Sequence, residues 1–338
     1  MLEFKDIGIS EKNLNGIVER VDGSILLNIR KIASGRNNRS YCLCTRAGHE
    51  YFLKVYFKHP KDTRERLMHE WAFLRYAKKT GIKNVADPIW MDENLNVGVY
   101  TFLKGDKITS DDIDDVKIQS AMDFVLRLNQ SEMFAEAKSL PNASDACFTP
   151  NDHIRLLKTR LSMLNDLPAG AEVFDRAVDF VNEKLLPKAD FYIFKAQNYF
   201  SATLDDVFCE VISPSDFGYH NSMFSKGGDI FYFDFEYAGR DGIEKLICDF
   251  FCQPRFPVSN TYLRQFCVGL ESLCTDGESV YQRVEVLYPL VALKWCCIVL
   301  NEFLPVSMAR RHFSDSEVAI ENQLLRQLQL AHEMLNKF

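Results

Sequence analysis

The sequence predicts an α+β chain, with a small antiparallel β-sheet and one long helix in about the first 100 residues and a larger, mainly helical part beyond them. Three observations support this. Short β-rich runs separated by turn residues recur within the first hundred positions, a helix-start signal lies among them at residues 62–65, and apolar residues with helical spacing dominate after about residue 115.

The strand-rich part begins with residues 32–43, which are typical of strand, turn and strand, with Gly35 and Asn38 in the turn. Residues 50–57 form a second β-rich run that carries Lys54 among apolar neighbours. Asp62 and Glu65 have the spacing of a capping box and predict a helix start. The apolar stripe of that helix contains Leu67, Trp71, Leu74 and Ala77.

Lys54 is the first candidate for chemistry, because a cation in an apolar strand needs a partner. Glu70, beside the stripe of the following helix, is the natural one. The plainer interpretations are that Lys54 protects a sheet edge and that Glu70 is an exposed helix residue.

Beyond residue 105 the pattern is helical. The stripes are Ile118/Met122/Val125, Ile154/Leu157/Leu161/Leu164 and Val173/Phe174/Ala177/Val178/Val181. Residues 229–233 predict a strand ending at Asp234, and a further helix is expected from about Gly242.

Asp216, Asn221 and Asp234 form an Asp-x(4)-Asn…Asp arrangement. Phosphoryl transfer needs a carboxylate to orient the attacking hydroxyl, and oxygen ligands to hold Mg²⁺. Alternatively, Asp216 and Asn221 are ordinary turn residues. The candidate pair Lys54 and Glu70 upstream favours the catalytic interpretation.

These motifs, in this order, resemble the aminoglycoside phosphotransferase and choline kinase-like family, which are small-molecule kinases with a protein-kinase-like fold of two lobes. The resemblance covers about residues 30 to 300. It implies an N-terminal nucleotide-binding lobe of residues 1–103 and a C-terminal helical lobe of residues 104–338 with the catalytic loop and substrate pocket.

The resemblance also implies roles for individual residues. Asp216 matches the catalytic Asp, Asn221 and Asp234 match the Mg²⁺ ligands, and Asp249 matches a helix Asp that supports the catalytic loop. The residues implied for ATP or GTP binding are Gly35, Asn38, Lys54, Glu70 and the backbone of Thr101 and Leu103.

The sequence departs from the family pattern in two places. Pro214 and Ser215 stand where relatives usually have His and Gly before the catalytic Asp, and the nucleotide loop contains the single glycine Gly35. Glu236 either contacts a second metal ion or closes its loop. The other candidates for the acceptor pocket are Tyr219, His220, Asp241 and Trp295.

The amino-acid composition indicates which partners and which cellular location to expect. The net charge of −7, without a basic stripe interleaved with aromatics, argues against nucleic acid. The ten cysteines lack metal-ligand spacing, so we expect reduced interior residues in a cytoplasmic protein. The most apolar segment, residues 286–300, is expected to be too short to span a membrane.

The sequence therefore predicts an ATP- or GTP-dependent, Mg²⁺-dependent kinase that phosphorylates a hydroxyl of a small molecule. No Ala-Pro-Glu triplet occurs and few residues follow Asp234 before the next helix, which argues against polypeptide substrates. Resemblance to relatives among bacterial surface-polysaccharide genes suggests a sugar or polysaccharide precursor, beside aminoglycosides and choline-like acceptors. The alternatives are a pseudokinase, which binds nucleotide and a partner without phosphotransfer, and nucleotidyl transfer.

Overall fold

A five-stranded antiparallel sheet, in the order β1-β2-β3-β5-β4, forms the N-terminal part of the computed structural model. The structure describes residues 8–32, 38–60, 62–168, 170–275, 279–305, 307 and 320–337. The strands are β1 (Leu26–Lys31), β2 (Arg39–Thr45), β3 (Glu50–Val55), β4 (Pro88–Asp92) and β5 (Val97–Thr101). The predicted small antiparallel sheet is confirmed.

The two faces of this sheet have different neighbours because side chains alternate along each strand. One face packs on helix α1 (Glu11–Asp22), whose buried residues Leu14 and Val18 share a core with Tyr41, Leu43 and Leu53. The opposite face carries Lys54. The sequence reasoning expected one helix in this region and overlooked α1, although Ser10 caps its start and Gly23 ends it with φ +63°.

The long predicted helix is α2 (Arg66–Lys79), and it begins later than the capping-box pattern indicated. Glu65 is the N-cap and makes no capping hydrogen bond with its side chain. Asp62 instead accepts a hydrogen bond from Arg66 at 2.6 Å. The capping-box prediction was wrong because the Arg66 guanidinium, one turn further on, is a stronger partner for that carboxylate.

The C-terminal part is mainly helical, as predicted. Its helices are α3 (Asp115–Leu128), α4 (Phe134–Ala137), α5 (Pro150–Met163), α6 (Glu172–Phe180), α7 (Leu186–Tyr199), α8 (Ile243–Cys252), α9 (Leu263–Leu270), α10 (Val280–Leu300) and α11 (Ile320–Leu335). The apolar stripes predicted from the sequence are largely buried in two cores. All ten cysteines are free, and eight of them are buried.

Helix α10 runs through the middle of this part and packs against α5, α8 and α11. With the short turn that follows it, the stretch Val280–Phe303 is long and apolar enough to cross a membrane, so the expectation that it is too short was wrong. However, 61% of its most apolar window is buried inside the protein, and the core helix of a soluble protein meets the same criteria.

Short strands position the residues of the site. β7 (Glu210–Ser213) pairs with β10 (Gly239–Gly242), and β6 (Asp106–Lys107), β8 (Ser222–Phe224) and β9 (Ile230–Tyr232) form a small sheet. The catalytic-loop segment joins β7 to β8, and the predicted strand before Asp234 is β9. The catalytic-loop segment therefore enters β8 and the segment of Asp234 leaves the neighbouring strand β9, so both lie in the same region.

Candidate active site

The predicted catalytic loop places Asp216 in the wall of a cavity. Its Oδ1 lies 3.0 Å from His220 Nε2, and its Oδ2 accepts from Asn221 Nδ2 at 3.3 Å. The same Asn221 amide donates to the Asp216 carbonyl at 3.0 Å. Because 25% of the Asp216 side chain is exposed, the carboxylate is held on both oxygens yet remains open to a reactant.

His220 lies next to the predicted catalytic carboxylate, whereas Pro214, two residues before that carboxylate, has no side-chain donor or acceptor. Its side chain is 4% exposed, and its Nδ1 is buried without a hydrogen-bond partner among the residues that the structure describes. A proton on Nδ1 would be a buried donor without an acceptor, which is costly. The neutral tautomer that avoids this cost carries its proton on Nε2 and donates it to Asp216.

Ser215 stands where the family resemblance led us to expect Gly. Its φ of +65° lies in the left-handed region, which glycine adopts without strain. Its amide donates to Ser213 Oγ at 3.0 Å, which helps to hold this conformation. The loop thus keeps a glycine-type bend with a serine.

The surroundings keep the Asp216 carboxyl charged. Burial alone would raise its pKa, but the His220 imidazole, the Arg255 guanidinium and the Asn221 amide together hold the pKa of Asp216 below its usual 3.8. An ionised carboxylate at neutral pH is the form that can accept a proton from a hydroxyl.

Lys54 lies at the centre of a cluster of carboxylates on the cleft face of the sheet. Its Nζ is 2.6 Å from Glu70 Oε2, 2.5 Å from Asp234 Oδ1 and 3.4 Å from Glu236 Oε2. The Tyr56 hydroxyl also donates to Glu70 Oε2, at 2.7 Å. The ion pair predicted between Lys54 and Glu70 is confirmed.

This cluster raises the pKa of Asp234. Burial is the largest cause, Glu236 and Glu70 add to it, and Lys54 opposes it, so that the pKa of Asp234 is about 6. Burial would lower the pKa of Lys54, but the surrounding carboxylates raise it well above its usual value. Lys54 is therefore a permanent cation at this site.

Glu236 closes the loop after Asp234. Its side chain is fully buried (0% exposed), accepts from Asn38 Nδ2 and lies 3.6 Å from Arg66 Nε. Burial alone would raise its pKa, but Lys54 and Arg66 hold the pKa of Glu236 below its usual value. Of the two interpretations of Glu236, the structure favours closure of the loop.

The carboxylates around Lys54 contain a candidate magnesium site. Oxygens of three residues lie within 4.8 Å of one another: Glu70, Asp234 and Glu236. Asp234 is 28% exposed, whereas the other two are almost fully buried, so Asp234 can reach an ion in the cavity.

Asn221 supplies a second oxygen. Its Nδ2 is bound to Asp216, which leaves its Oδ1 for a metal, and its carbonyl accepts from Phe233 N at 3.0 Å, next to Asp234. Carboxylate and amide oxygens suit Mg²⁺, so these residues fit the ion.

The residues predicted to bind the nucleotide differ in which of their hydrogen-bonding groups are already used within the protein. The Thr101 amide donates to Asp87 O at 3.0 Å, so this amide is not open to a base. Leu103 makes no backbone hydrogen bond within the described residues. The side chain of Asn38 donates a hydrogen bond to Glu236 and accepts one from the Phe57 amide. Gly35 lies outside the described residues.

Phe52 is a candidate that the sequence reasoning missed. It lies two residues before Lys54 on β3, so both side chains share the cleft face. It is partly exposed and lies 6.5 Å from the Tyr100 ring. An aromatic ring on this face offers a stacking surface for a nucleotide base. The alternation with Lys54 was the available signal.

The cavity has a volume of about 590 Å³, which is in the range of small-molecule sites. Asp216, Asp234, His220 and Trp295 all line it. Tyr219 does not: it is 1% exposed and packs against Phe250, so its assignment to the pocket was wrong.

Asp241 was also wrongly assigned to the pocket. Its carboxylate is fully buried, accepts from the Cys147 amide at 2.9 Å and pairs with Lys245 at 2.8 Å. Asp241 therefore supports the floor of the cavity from below. It has no surface for an acceptor.

Asp249 belongs to the same buried network. It accepts from Lys294, from Lys245 at 3.0 Å and from Trp295 Nε1 at 2.8 Å. Among the described residues its side chain makes no bond to the catalytic loop, so the predicted support of that loop was wrong. Asp249 instead ties α8 to α10 and lines the cavity.

The family model for the phosphotransferase enzyme family matches residues 28–242, more than half of the chain. The chain belongs to the phosphotransferase enzyme family. The match includes every residue placed above at the Lys54 cluster and in the catalytic loop. No curated protein matches this phosphotransferase significantly.

Several solved structures share the fold of this phosphotransferase. A spectinomycin phosphotransferase in complex with ADP and spectinomycin is 13% identical, with coverage of 96% of this chain and 98% of that chain and a TM-score of 0.61. A choline kinase from Streptococcus pneumoniae is 14% identical, with coverage of 97% and 99% and a TM-score of 0.61. An amicoumacin kinase in complex with AMP-PNP and Ca²⁺ is 14% identical, with coverage of 99% and 96% and a TM-score of 0.55. The likeness confirms the predicted two-lobe, kinase-like α+β fold.

Proposed function

We propose that this phosphotransferase transfers the γ-phosphoryl group of ATP or GTP to a hydroxyl of a small molecule. The observation that carries the proposal is that Asp216 and Asp234 line one cavity while Lys54 is bonded to Asp234. The ADP, AMP-PNP and small antibiotics in the similar structures support a nucleotide and a small acceptor.

Asp216 orients the acceptor hydroxyl and accepts its proton as the new P–O bond forms and the bond to the leaving diphosphate breaks. The hydrogen bond from His220 occupies Oδ1 of Asp216 at 3.0 Å. The acceptor hydroxyl therefore approaches Oδ2, whose contact to Asn221 is longer, at 3.3 Å. Lys54 lies beside Asp234 and aligns the phosphates once a nucleotide enters.

Mg²⁺, held by Asp234 and Asn221, would neutralise charge on the phosphate oxygens. Glu70 keeps Lys54 in position through its bond at 2.6 Å. We assign the acceptor to sugars, polysaccharide precursors, aminoglycosides or choline-like alcohols, and the reaction to the cytoplasm. The size of the cavity and the eight buried free cysteines support these assignments.

The test is nucleotide turnover with ATP and GTP separately, with and without Mg²⁺, against a panel of these acceptors. Asp216→Asn should lower turnover at least about 100-fold while nucleotide still binds. The matched control is Asp190→Asn, an exposed carboxylate on α7, which should behave like the native protein.

Release of ADP or GDP that depends on the acceptor and on Asp216 would establish the kinase. Nucleotide binding without turnover on any acceptor would favour the pseudokinase alternative. Release of pyrophosphate would favour nucleotidyl transfer.

A further inference from the structure

The cleft face of the N-terminal sheet carries a second cluster of ligand groups that the proposed phosphoryl transfer does not use. Cys42 and Cys44 lie two residues apart on β2, and Glu50 on β3 is opposite Cys44. Side chains two apart on a strand share a face, as do cross-strand partners. All three therefore lie on the face that carries Lys54.

The three ligand atoms are almost equally spaced. Cys42 Sγ is 3.9 Å from Cys44 Sγ, and Glu50 Oε1 is 3.8 Å from the first sulfur and 3.9 Å from the second. A tetrahedral Zn²⁺ with ligands at about 2.3 Å has ligand–ligand edges of about 3.8 Å. The triangle thus matches one face of a zinc coordination tetrahedron.

We propose that Cys42, Cys44 and Glu50 bind a soft or borderline divalent metal ion, with Zn²⁺ as the best fit and a water molecule as the fourth ligand. On binding, each thiol releases its proton to solvent, and the divalent ion with two thiolates and one carboxylate carries a net charge of −1, which Lys104 beside Glu50 offsets. Thiolate ligands select such metals over Mg²⁺, so this site is chemically different from the one at Asp234.

Arg30 supplies the positive charge of this cluster when no ion is bound. Its NH2 group lies 3.1 Å from Glu50 Oε1 and 3.6 Å from Cys42 Sγ. Because the Arg30 side chain is 54% exposed, it can turn into solvent as an ion enters. The Arg30 guanidinium therefore already occupies the negatively charged surroundings that would attract the proposed metal ion.

The surroundings also suit a metal ion. Lys104 pairs with Glu50 Oε2, the oxygen that the triangle does not use, and so orients the carboxylate. Cys42 is buried, whereas Cys44 and Glu50 are partly exposed. An ion can therefore reach the sulfur atoms from the side of Glu50.

The test uses reduced, nucleotide-free protein in excess Mg²⁺, which fills sites for hard cations. Titration with Co²⁺ should give a thiolate charge-transfer band that saturates at one ion per chain and disappears when Zn²⁺ is added. Cys42→Ser and Cys44→Ser should each lower the affinity at least about tenfold. Cys274→Ser, at another partly buried thiol, should leave it unchanged.

Two further variants separate a metal site from a simple ion pair. Glu50→Gln, which keeps the size of the side chain, should also weaken binding. Arg30→Ala should strengthen it, because it removes the competing cation. Absence of the band, its persistence in both serine variants, or weaker binding in Arg30→Ala would each overturn the proposal.

Discussion

Replacing Asp249 by Asn should destabilise this phosphotransferase, because the change leaves Lys294 as a buried charge without a partner. Lys245, the other lysine bound to Asp249, keeps Asp241 at 2.8 Å. Lys294 is 5% exposed, and among the described residues Asp249 is its one ion-pair partner.

The size of this destabilisation follows from the electrostatics of Asp249. Burial alone would raise its pKa, but Lys245 and Lys294 lower the pKa of Asp249 to about 2. Relative to the usual 3.8, this contributes about 2–3 kcal/mol to stability at neutral pH. Breaking a buried ion pair from one side costs about 3–5 kcal/mol. We therefore expect Asp249→Asn to lower the free energy of unfolding by about 2–5 kcal/mol at pH 7.

The sign of the pH dependence is fixed as well. Because the folded-state pKa of Asp249 is lowered, its contribution is present above the unfolded value of 3.8 and is lost as the pH falls towards 2. The difference between the native protein and the variant should therefore shrink in acid.

Urea unfolding followed by tryptophan fluorescence measures the effect. The matched control is Asp114→Asn, which removes an exposed carboxylate paired with Lys117 at 2.5 Å. Exposed pairs contribute little and Asn caps a helix as well as Asp, so the control should change stability by less than about 0.5 kcal/mol.

A double variant tests the stated cause. Adding Lys294→Met to Asp249→Asn removes the unpaired charge and should recover at least about 1 kcal/mol. If Asp249→Asn costs no more than the exposed control, or if the double variant is no more stable than the single one, the reasoning is refuted.

Three other outcomes are expected. In the metal-free protein the affinity for Mg²⁺ should rise about tenfold between pH 5 and pH 7, because Asp234, with a pKa of about 6, must lose its proton; Asp234→Asn should abolish this dependence in a metal titration. His220→Ala should lower kcat at least about tenfold and His220→Gln, which keeps an N–H donor, should retain most of it; equal losses would contradict the role of the bond to Asp216. Ser215→Gly should keep its thermal stability, whereas Ser215→Val should lose about 1–2 kcal/mol, because a branched side chain resists φ +65°; similar melting curves would contradict this.

The sequence was sufficient for the centre of the site, because the decisive interactions there follow from local chemistry. Lys54 lies in an apolar strand, so it required a carboxylate, and Glu70 was within reach on the next helix. The strand before Asp234 was readable from its apolar run. The partner of Lys54 could be named without knowledge of the packing.

The remaining features depend on packing between distant segments. Asp249 and Lys294 are 45 residues apart and meet because α8 lies against α10. Asp62 matched a helix cap, yet Arg66 bonds it instead. His220 lacked a partner in sequence because its partner, Asp216, was already assigned another role. In each case the sequence showed the polar residue, but several other residues were possible partners for its side chain, and packing decided among them.

Backbone strain connects these observations to the proposed chemistry. Three non-glycine residues that line the cavity adopt positive φ: Asp145 at +56°, Ser215 at +65°, directly before the predicted catalytic carboxylate, and Asp234 at +69°. Such conformations cost about 1–3 kcal/mol each and persist where the surrounding contacts enforce them. Asp234 is held by Lys54 at 2.5 Å, and Ser215 by the side chain of Ser213. At Ser215 and Asp234 the strain therefore lies next to or at the two carboxylates of the proposed phosphoryl transfer, where the direction of a side chain matters more than local stability.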